Sequence, residues 1–385
     1  MPNELSQDRK VKMSLICKAK GLEKSFRLNT GEAASCCKSY TEPFDNNLPQ
    51  LLEVWQQESI DLKSGIAVPS CEQCWKDERV GKRSLRLKLN EHPALENKID
   101  IYMSNLCNHM CSYCSPKFSS IWQTSIEQQG VFNLVSKSAQ ENQTIDRNLS
   151  VDWATIESNL DQIKQYVDSQ PDNSVVISLL GGEPLMQHRG LHKILEFNEK
   201  KVKRLVIITN LNPPNTKFLN QILDAVDIKK LLMHVSIDTV PQYNHIPRNG
   251  FSQSRFDTNL EYIKTRGVEY TVLATTSVLS VFSLAEFLQW GNTHGVLPTF
   301  QSLQNPSALQ ISHLPREYKD EILNSVDVSA LPQELKWQLD APEAPNVNQF
   351  EQYNYCKQYF NRTDTAINSF PVSMQRWWQQ LSDRF

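Results

Sequence analysis

The sequence predicts an α/β chain: an open, partial barrel of six βα repeats, preceded by a small cysteine-rich module and followed by a short helical tail. Three observations lead there. From about residue 97, short apolar runs alternate with amphipathic stretches, the pattern of repeated βα units around a parallel sheet. Before residue 95, glycine, proline and cysteine punctuate short pieces instead. After about residue 310, Pro315, Pro332, Pro342, Pro345 and Pro371 break the chain into short helices, and Trp377-Trp378 are expected to pack that tail onto the body. The expected division is therefore 1–95, 96–310 and 311–385.

Ile99-Asp100-Ile101-Tyr102-Met103 reads as a first strand running into a cysteine loop. Residues 117–150 are polar and rich in Gln, Ser and Asn, an insertion over the barrel mouth or an extra helix. Between Asp152 and Ser169, Ile156, Leu160, Ile163 and Val167 recur at helical spacing. Val175–Leu180 is a continuous apolar run, hence a buried strand, closed by a turn at Gly181-Gly182. The alternation goes on with a strand at Leu205–Thr209, a helix near Thr216–Ala225 and a strand at Leu231–Ile237. A helix at Asp257–Thr265 and a strand at Glu269–Thr275 follow. Ser283-Leu284-Ala285-Glu286 opens the next helix as a capping box, with its Ser and Glu three apart. The last strand is expected at Val296–Leu303. Six repeats are too few for a closed eightfold barrel.

Bulk numbers narrow the function by exclusion. The 385 residues carry 40 Lys+Arg against 43 Asp+Glu, a net charge of −3. Such a chain is not built to hold nucleic-acid backbone by charge. With 39% hydrophobic and 22% charged residues it reads as globular. No apolar run approaches the ~20 residues of a membrane span. Met1–Lys12 is polar and shows no secretory signal, so a cytoplasmic location is expected.

The nine cysteines stand at 17, 36, 37, 71, 74, 107, 111, 114 and 356. In a reducing compartment they point to metal ligands or reactive thiols rather than disulfides. Cys107-Asn108-His109-Met110-Cys111-Ser112-Tyr113-Cys114 puts three thiols in one short loop. Soft thiolates select zinc, copper(I) or iron–sulfur. A zinc site wants a fourth ligand, and His109 sits at an unsuitable spacing for one. Three cysteines on a [4Fe–4S] cluster leave one iron open.

Here the sequence resembles the radical S-adenosylmethionine (SAM) superfamily, whose hallmark is C-x3-C-x2-C. Tyr113 before the third cysteine fits that loop, and Gly181-Gly182-Glu183-Pro184 matches the family's GGEP motif. Ser236-Ile237-Asp238 and the following Tyr243–Arg248 resemble its fourth-strand region. The likeness covers about residues 97–305 and implies a TIM-like partial barrel with its site at the C-terminal ends of the strands. By resemblance, Cys107, Cys111 and Cys114 bind three irons of a [4Fe–4S] cluster, and SAM chelates the fourth. The glycines let backbone approach a ligand, Glu183 accepts a hydrogen bond from the SAM ammonium, and Ser236 and Asp238 reach the ribose or substrate. Arg248 counts for little on this reading, as a loop arginine facing solvent. No glycine-rich adenine motif appears, and Thr275, Thr276 and Gln301 occupy its region.

Cys17 and Cys36, spaced C-x13-G-x4-C around Gly31, and Cys71-Glu72-Gln73-Cys74 resemble the auxiliary-cluster pattern of SPASM and twitch domains. That implies a second [4Fe–4S] cluster on Cys17, Cys36, Cys71 and Cys74, with Cys37 a spare or alternative ligand. Here the module precedes the barrel, with Arg83-Ser84-Leu85-Arg86 as a bridge. A zinc site is the competing reading, and Cys356 reads as a half-buried thiol. The resemblance implies an enzyme that cleaves SAM to a 5′-deoxyadenosyl radical, which abstracts hydrogen from a peptide, protein or small-molecule substrate. A flavodoxin- or ferredoxin-type electron donor is expected, with no membrane and no nucleic-acid partner. The alternatives are a zinc-stabilised, non-catalytic binding protein on the same barrel and a nucleotide- or sugar-modifying relative.

Overall fold

The computed structural model describes residues 16–81, 83–91, 96–135, 140, 143–145, 151–303, 305–342 and 345–385. Met1–Lys12, read above for a secretory signal, and parts of the 117–150 insertion lie outside the described residues. Among the described residues no helix is long and apolar enough to cross a membrane.

Six strands form the parallel body: β4 (Asn97–Tyr102), β6 (Val175–Leu180), β7 (Val202–Thr209), β8 (Leu231–Ser236), β10 (Glu269–Thr276) and β11 (Thr299–Ser302). They lie side by side in chain order, as βα repeats with short crossovers require. The sheet does not stop at β4. Strand β1 (Glu23–Arg27) pairs parallel with β4, setting Ser25 beside Asp100, and β2 (Glu32–Ala34) and β3 (Glu42–Pro43) add antiparallel edges. The cysteine-rich segment thus shares a nine-stranded sheet with the body.

Alternation along the strands separates two faces. Ile99 and Ile101 on β4, and Val175, Ile177 and Leu179 on β6, are buried in the main core against the helices. There α5 (Trp153–Asp168) buries the stripe Ile156, Leu160, Ile163 and Val167, each worth roughly 1.5–3 kcal/mol. The Asp152 side chain caps that helix by accepting the Thr155 N–H at 2.9 Å. The opposite face carries Asp100, Ser178 and His234, and the small Val176, Val206 and Leu232 cluster lies apart from the main core.

Local differences from expectation have local causes. Strand β11 starts at Thr299, not Val296, because Pro298 has no N–H to give to a ladder. Helix α8 (Gln253–Thr265) begins four residues before the expected Asp257, which brings Phe256 into the core. The capping box at Ser283 does not form. Helix α9 (Leu284–Thr293) has no side-chain cap there, because the Ser283 hydroxyl is turned to Thr239 Oγ1 and to the Ser280 carbonyl.

In the C-terminal region the prolines start helices: Pro315, Pro332, Pro345 and Pro371 each stand at the N-cap of α10 (Arg316–Ser325), α11 (Gln333–Asp340), α12 (Asn346–Thr363) and α13 (Val372–Arg384). With 18 residues, α12 is longer than the short pieces expected. Trp377 and Trp378 are buried, and Trp377 packs on Phe282 with ring centroids 5.5 Å apart. Cys356 is fully enclosed rather than half-buried.

Candidate functional site

The cysteine loop leaves the C-terminal end of β4 and passes through a two-residue strand, β5 (Met110–Cys111), paired antiparallel with β9 (Arg248–Asn249). In that pair Cys111 stands opposite Arg248. Side-chain donors then hold the loop's carbonyls one after another. Ser120 Oγ donates to Cys107 O at 3.2 Å, Ser119 Oγ to His109 O at 2.8 Å and Trp122 Nε1 to Cys111 O at 2.8 Å, all from the start of α4 (Ser120–Gln129) or its cap. From α12, Tyr359 donates to Met110 O at 2.9 Å and Tyr355 to Ser112 O at 2.7 Å. The insertion that looked merely polar in sequence thus supplies a wholly buried Trp122 behind the loop.

A cavity of about 340 Å³ opens at this end of the sheet, within the usual size of a small-molecule site. Cys107, Cys111 and Cys114 line one side, Gly181, Gly182 and Glu183 another, and Ser236 and Thr275 project from the ends of β8 and β10. Burial pushes the Cys107 thiol up to about 12 and that of Cys114 to about 11. It also raises Cys111, against the opposing charge of Arg248. Enclosed thiols of this kind ionise when a metal takes the proton's place, so the donor set suits a soft metal cluster. Among the described residues no three His, Cys, Asp or Glu side chains converge on a single ion. An iron–sulfur cube instead takes each thiolate at a separate iron.

The glycine pair, on the cavity wall, also makes a close approach within the chain. Gly181 and Gly182 have φ of +76° and +54°, and a Cβ on Gly182 would stand 2.4 Å from the Leu106 carbonyl oxygen. The close approach is to the cysteine loop itself, which also accepts the Glu183 N–H at Leu106 O, 2.8 Å away. Pro184 follows, buried, at the start of a single 3₁₀ turn.

Glu183 is buried and already engaged. It accepts hydrogen bonds from Thr209 Oγ1 at 2.6 Å, Asn210 N at 2.7 Å and Leu185 N at 3.0 Å. Burial raises its carboxyl to about 7, and these bonds oppose the rise. Thr209 and Asn210, also on the cavity wall, were not singled out by sequence; their position at the C-terminal end of β7 was the available signal.

Asp238 does not face the cavity, contrary to expectation. Its carboxylate takes Arg248 Nε and Nη2 at 2.9 Å each, the Tyr113 hydroxyl at 2.7 Å and the Thr275 N–H at 2.9 Å. Arg248 in turn is buried rather than solvent-facing, lies on the cavity wall, and puts Nη1 3.8 Å from Cys111 Sγ. His109 is buried there too, and burial lowers its imidazole to about 3, which keeps it neutral.

A second group of thiols gathers in the N-terminal segment. Cys17 lies within electrostatic reach of Cys36 and Cys74, and Cys71 within reach of Cys17 and Cys36. Cys71 and Cys74 bracket the first turn of α2 (Glu72–Arg79). Backbone N–H groups of Lys20 and Ala19 donate to Cys17, that of Arg86 to Cys74, and Ser39 Oγ donates to Cys36 Sγ at 3.2 Å. Cys37, the exposed member of the group, has Cys36, Lys38, Glu23 of β1 and Asp100 of β4 as its charged neighbours. Two buried cations flank the group, each with its own carboxylate: Lys20 on Glu58 at 2.6 Å and Arg86 on Glu78 at 2.5 Å.

With this geometry in view, residues 101–289 match the model of the radical SAM superfamily. No curated protein matches the sequence. Among solved structures the chain is similar to native anSMEcpe with bound AdoMet, at 15% identity and a TM-score of 0.39 over 54% of this chain and 52% of that one. It is also similar to Streptococcus suis SuiB bound to S-adenosylmethionine, at 16% identity and a TM-score of 0.37 over 79% and 67%. The match spans about half the length of the anSMEcpe chain. The architecture is α/β with a mainly parallel sheet, and the family match lies within residues 101–289 of it.

Proposed function

We propose that this chain is a radical SAM enzyme carrying two [4Fe–4S] clusters, one on Cys107, Cys111 and Cys114 with SAM, the other on Cys17, Cys36, Cys71 and Cys74. The observation that carries the reading is the convergence of three cysteines, two of them buried, and the Gly181–Glu183 turn on one cavity at the strand ends. When bound, the first cluster and SAM together supply reductive cleavage of SAM and a hydrogen-abstracting radical; the substrate is a peptide, a protein or a small molecule.

The chain's own residues then do definable work. Cys107 and Cys111, both buried, hold iron away from solvent, which suits a low-potential centre. The Gly181–Gly182 turn fixes the distance between the cysteine loop and the end of β6. Glu183 ties the ends of β6 and β7 together and presents its remaining acceptor capacity to the cavity, where an ammonium group of the ligand is accommodated. Ser236 and Thr275 offer hydroxyls for the ribose or the substrate. The N-terminal set takes its ligand from Cys36, with the Ser39 hydroxyl on that sulfur. Its role is to accept an electron from the substrate, relay one, or bind substrate. A flavodoxin- or ferredoxin-type protein is the electron source.

Anaerobic reconstitution tests the reading. About eight irons per chain, absorption near 400 nm and SAM cleavage under dithionite are expected from two four-iron clusters. Stoichiometric zinc with no cleavage would overturn it. Cys107→Ala is expected to abolish cleavage and leave the N-terminal cluster visible, and survival of cleavage would refute the assignment of the SAM-binding cluster.

A further inference from the structure

Arg248 and Asp238 form a buried ion pair that the mechanism above does not use. Only 7% and 2% of their surfaces are exposed. The guanidinium binds the carboxylate through Nε and Nη2, each at 2.9 Å, and its remaining arm, Nη1, lies 3.8 Å from Cys111 Sγ. Two features prevent the arm from swinging away. The β5–β9 pairing fixes Arg248 directly across from Cys111, and Asp238 is itself held by the Tyr113 hydroxyl at 2.7 Å and the Thr275 N–H at 2.9 Å. The guanidinium also lies over the Tyr113 ring, 5.6 Å from its centroid. A fixed cation is therefore aimed at one cysteine sulfur from a place with little water.

We propose that this pair sets the reduction potential of the cluster on Cys107, Cys111 and Cys114: Arg248 is the positioning cation of the Cys111 thiolate, and Asp238 is the counter-charge that offsets it. The inference rests on the radical SAM reading. Adding an electron to the cluster adds negative charge beside Arg248, so a hydrogen-bonding cation at the sulfur favours the reduced state and moves the potential up. Asp238, two bonds further along the same fork, has the opposite sign and moves it down. The two residues therefore act in opposite directions although they form one structural unit. A purely structural salt bridge does not behave so, since breaking it from either side disturbs the loop alike.

The test is a redox titration of the full reconstituted chain without SAM, followed by electron paramagnetic resonance. The relevant signal is the one that changes when SAM is added afterwards. Relative to the unaltered protein, Arg248→Gln is expected to give a more negative midpoint, Arg248→Lys an intermediate one and Asp238→Asn a more positive one. The N-terminal cluster is expected to titrate unchanged in all three. Unmoved midpoints, or shifts in the same direction for Arg248→Gln and Asp238→Asn, overturn the proposal. So does loss of iron from both Arg248→Lys and Asp238→Asn in folded protein, which makes the pair a scaffold. A weakened SAM affinity with no change in potential also overturns it and makes Arg248 a ligand of SAM. If the unaltered protein holds no SAM-responsive cluster, the radical SAM reading itself falls and takes this inference with it.

Discussion

The Tyr359 hydroxyl lies 2.9 Å from the carbonyl oxygen of Met110, joining helix α12 to the middle of the cysteine loop across 249 residues of sequence. One turn earlier on the same helix, Tyr355 holds Ser112 in the same way. The tail is thus the back wall of the candidate site. Tyr359→Phe leaves a buried carbonyl without this donor, at a cost of about 1–3 kcal/mol. The variant is expected to fold, to unfold at lower urea, and to lose iron faster than the parent to a chelator. Equal iron-loss rates would show that the loop keeps its shape without α12.

Gly182 and Gly267 make a controlled pair. Both have positive φ, +54° and +70°, but a Cβ at Gly182 meets the Leu106 carbonyl and one at Gly267 meets nothing within 4 Å. Gly267→Ala is expected to cost only the left-handed penalty, about 1–2 kcal/mol. Gly182→Ala must in addition push back the cysteine loop, so it is expected to cost more and to lower the iron retained after reconstitution. Urea unfolding and iron assay of both variants check this.

Glu183 makes stability depend on pH. Burial lifts its carboxyl from 4.5 to about 7, so folding favours the protonated form. That contribution is whole below the unfolded value and is lost as pH rises through about 7. At about 1.4 kcal/mol per unit, the swing is roughly 3 kcal/mol. Glu183→Gln is expected to show a flatter urea midpoint between pH 4.5 and 7 than the parent, around a uniform offset from the changed hydrogen bonding. Parallel curves for the two proteins would contradict this.

Cys36 and Cys37 are adjacent, yet Cys36 lies within electrostatic reach of Cys17, Cys71 and Cys74, whereas Cys37 is exposed and lies near Glu23 and Asp100. Cys36→Ser and Cys71→Ser are each expected to remove about half the iron of the reconstituted chain, and Cys37→Ser to leave it whole. The reverse result would exchange their roles.

What was legible in the sequence followed from short-range chemistry. The stripe Ile156, Leu160, Ile163 and Val167 announces its helix, the run Val175–Leu180 its buried strand, and the close spacing of Cys107, Cys111 and Cys114 their gathering on one cavity. Each signal depends on residues only a few positions apart, where backbone geometry alone decides who shares a face. The capping box at Ser283 failed for the complementary reason: a distant hydroxyl, Thr239, competes for the same side chain.

The sequence by itself determined the βα order, the identity of the thiols and their grouping into two sets. The tertiary structure alone decided which groups surround them. Arg248 and Asp238, ten residues apart, both looked like loop polar groups, one facing solvent and the other substrate. Folding buries them against each other beside Cys111. Likewise Trp122, Tyr355 and Tyr359 come from stretches that read as insertion and tail, and they close around one loop. A buried carbonyl or charge must find a partner wherever the fold places one, and that partner is chosen by proximity in space, which residue spacing does not encode.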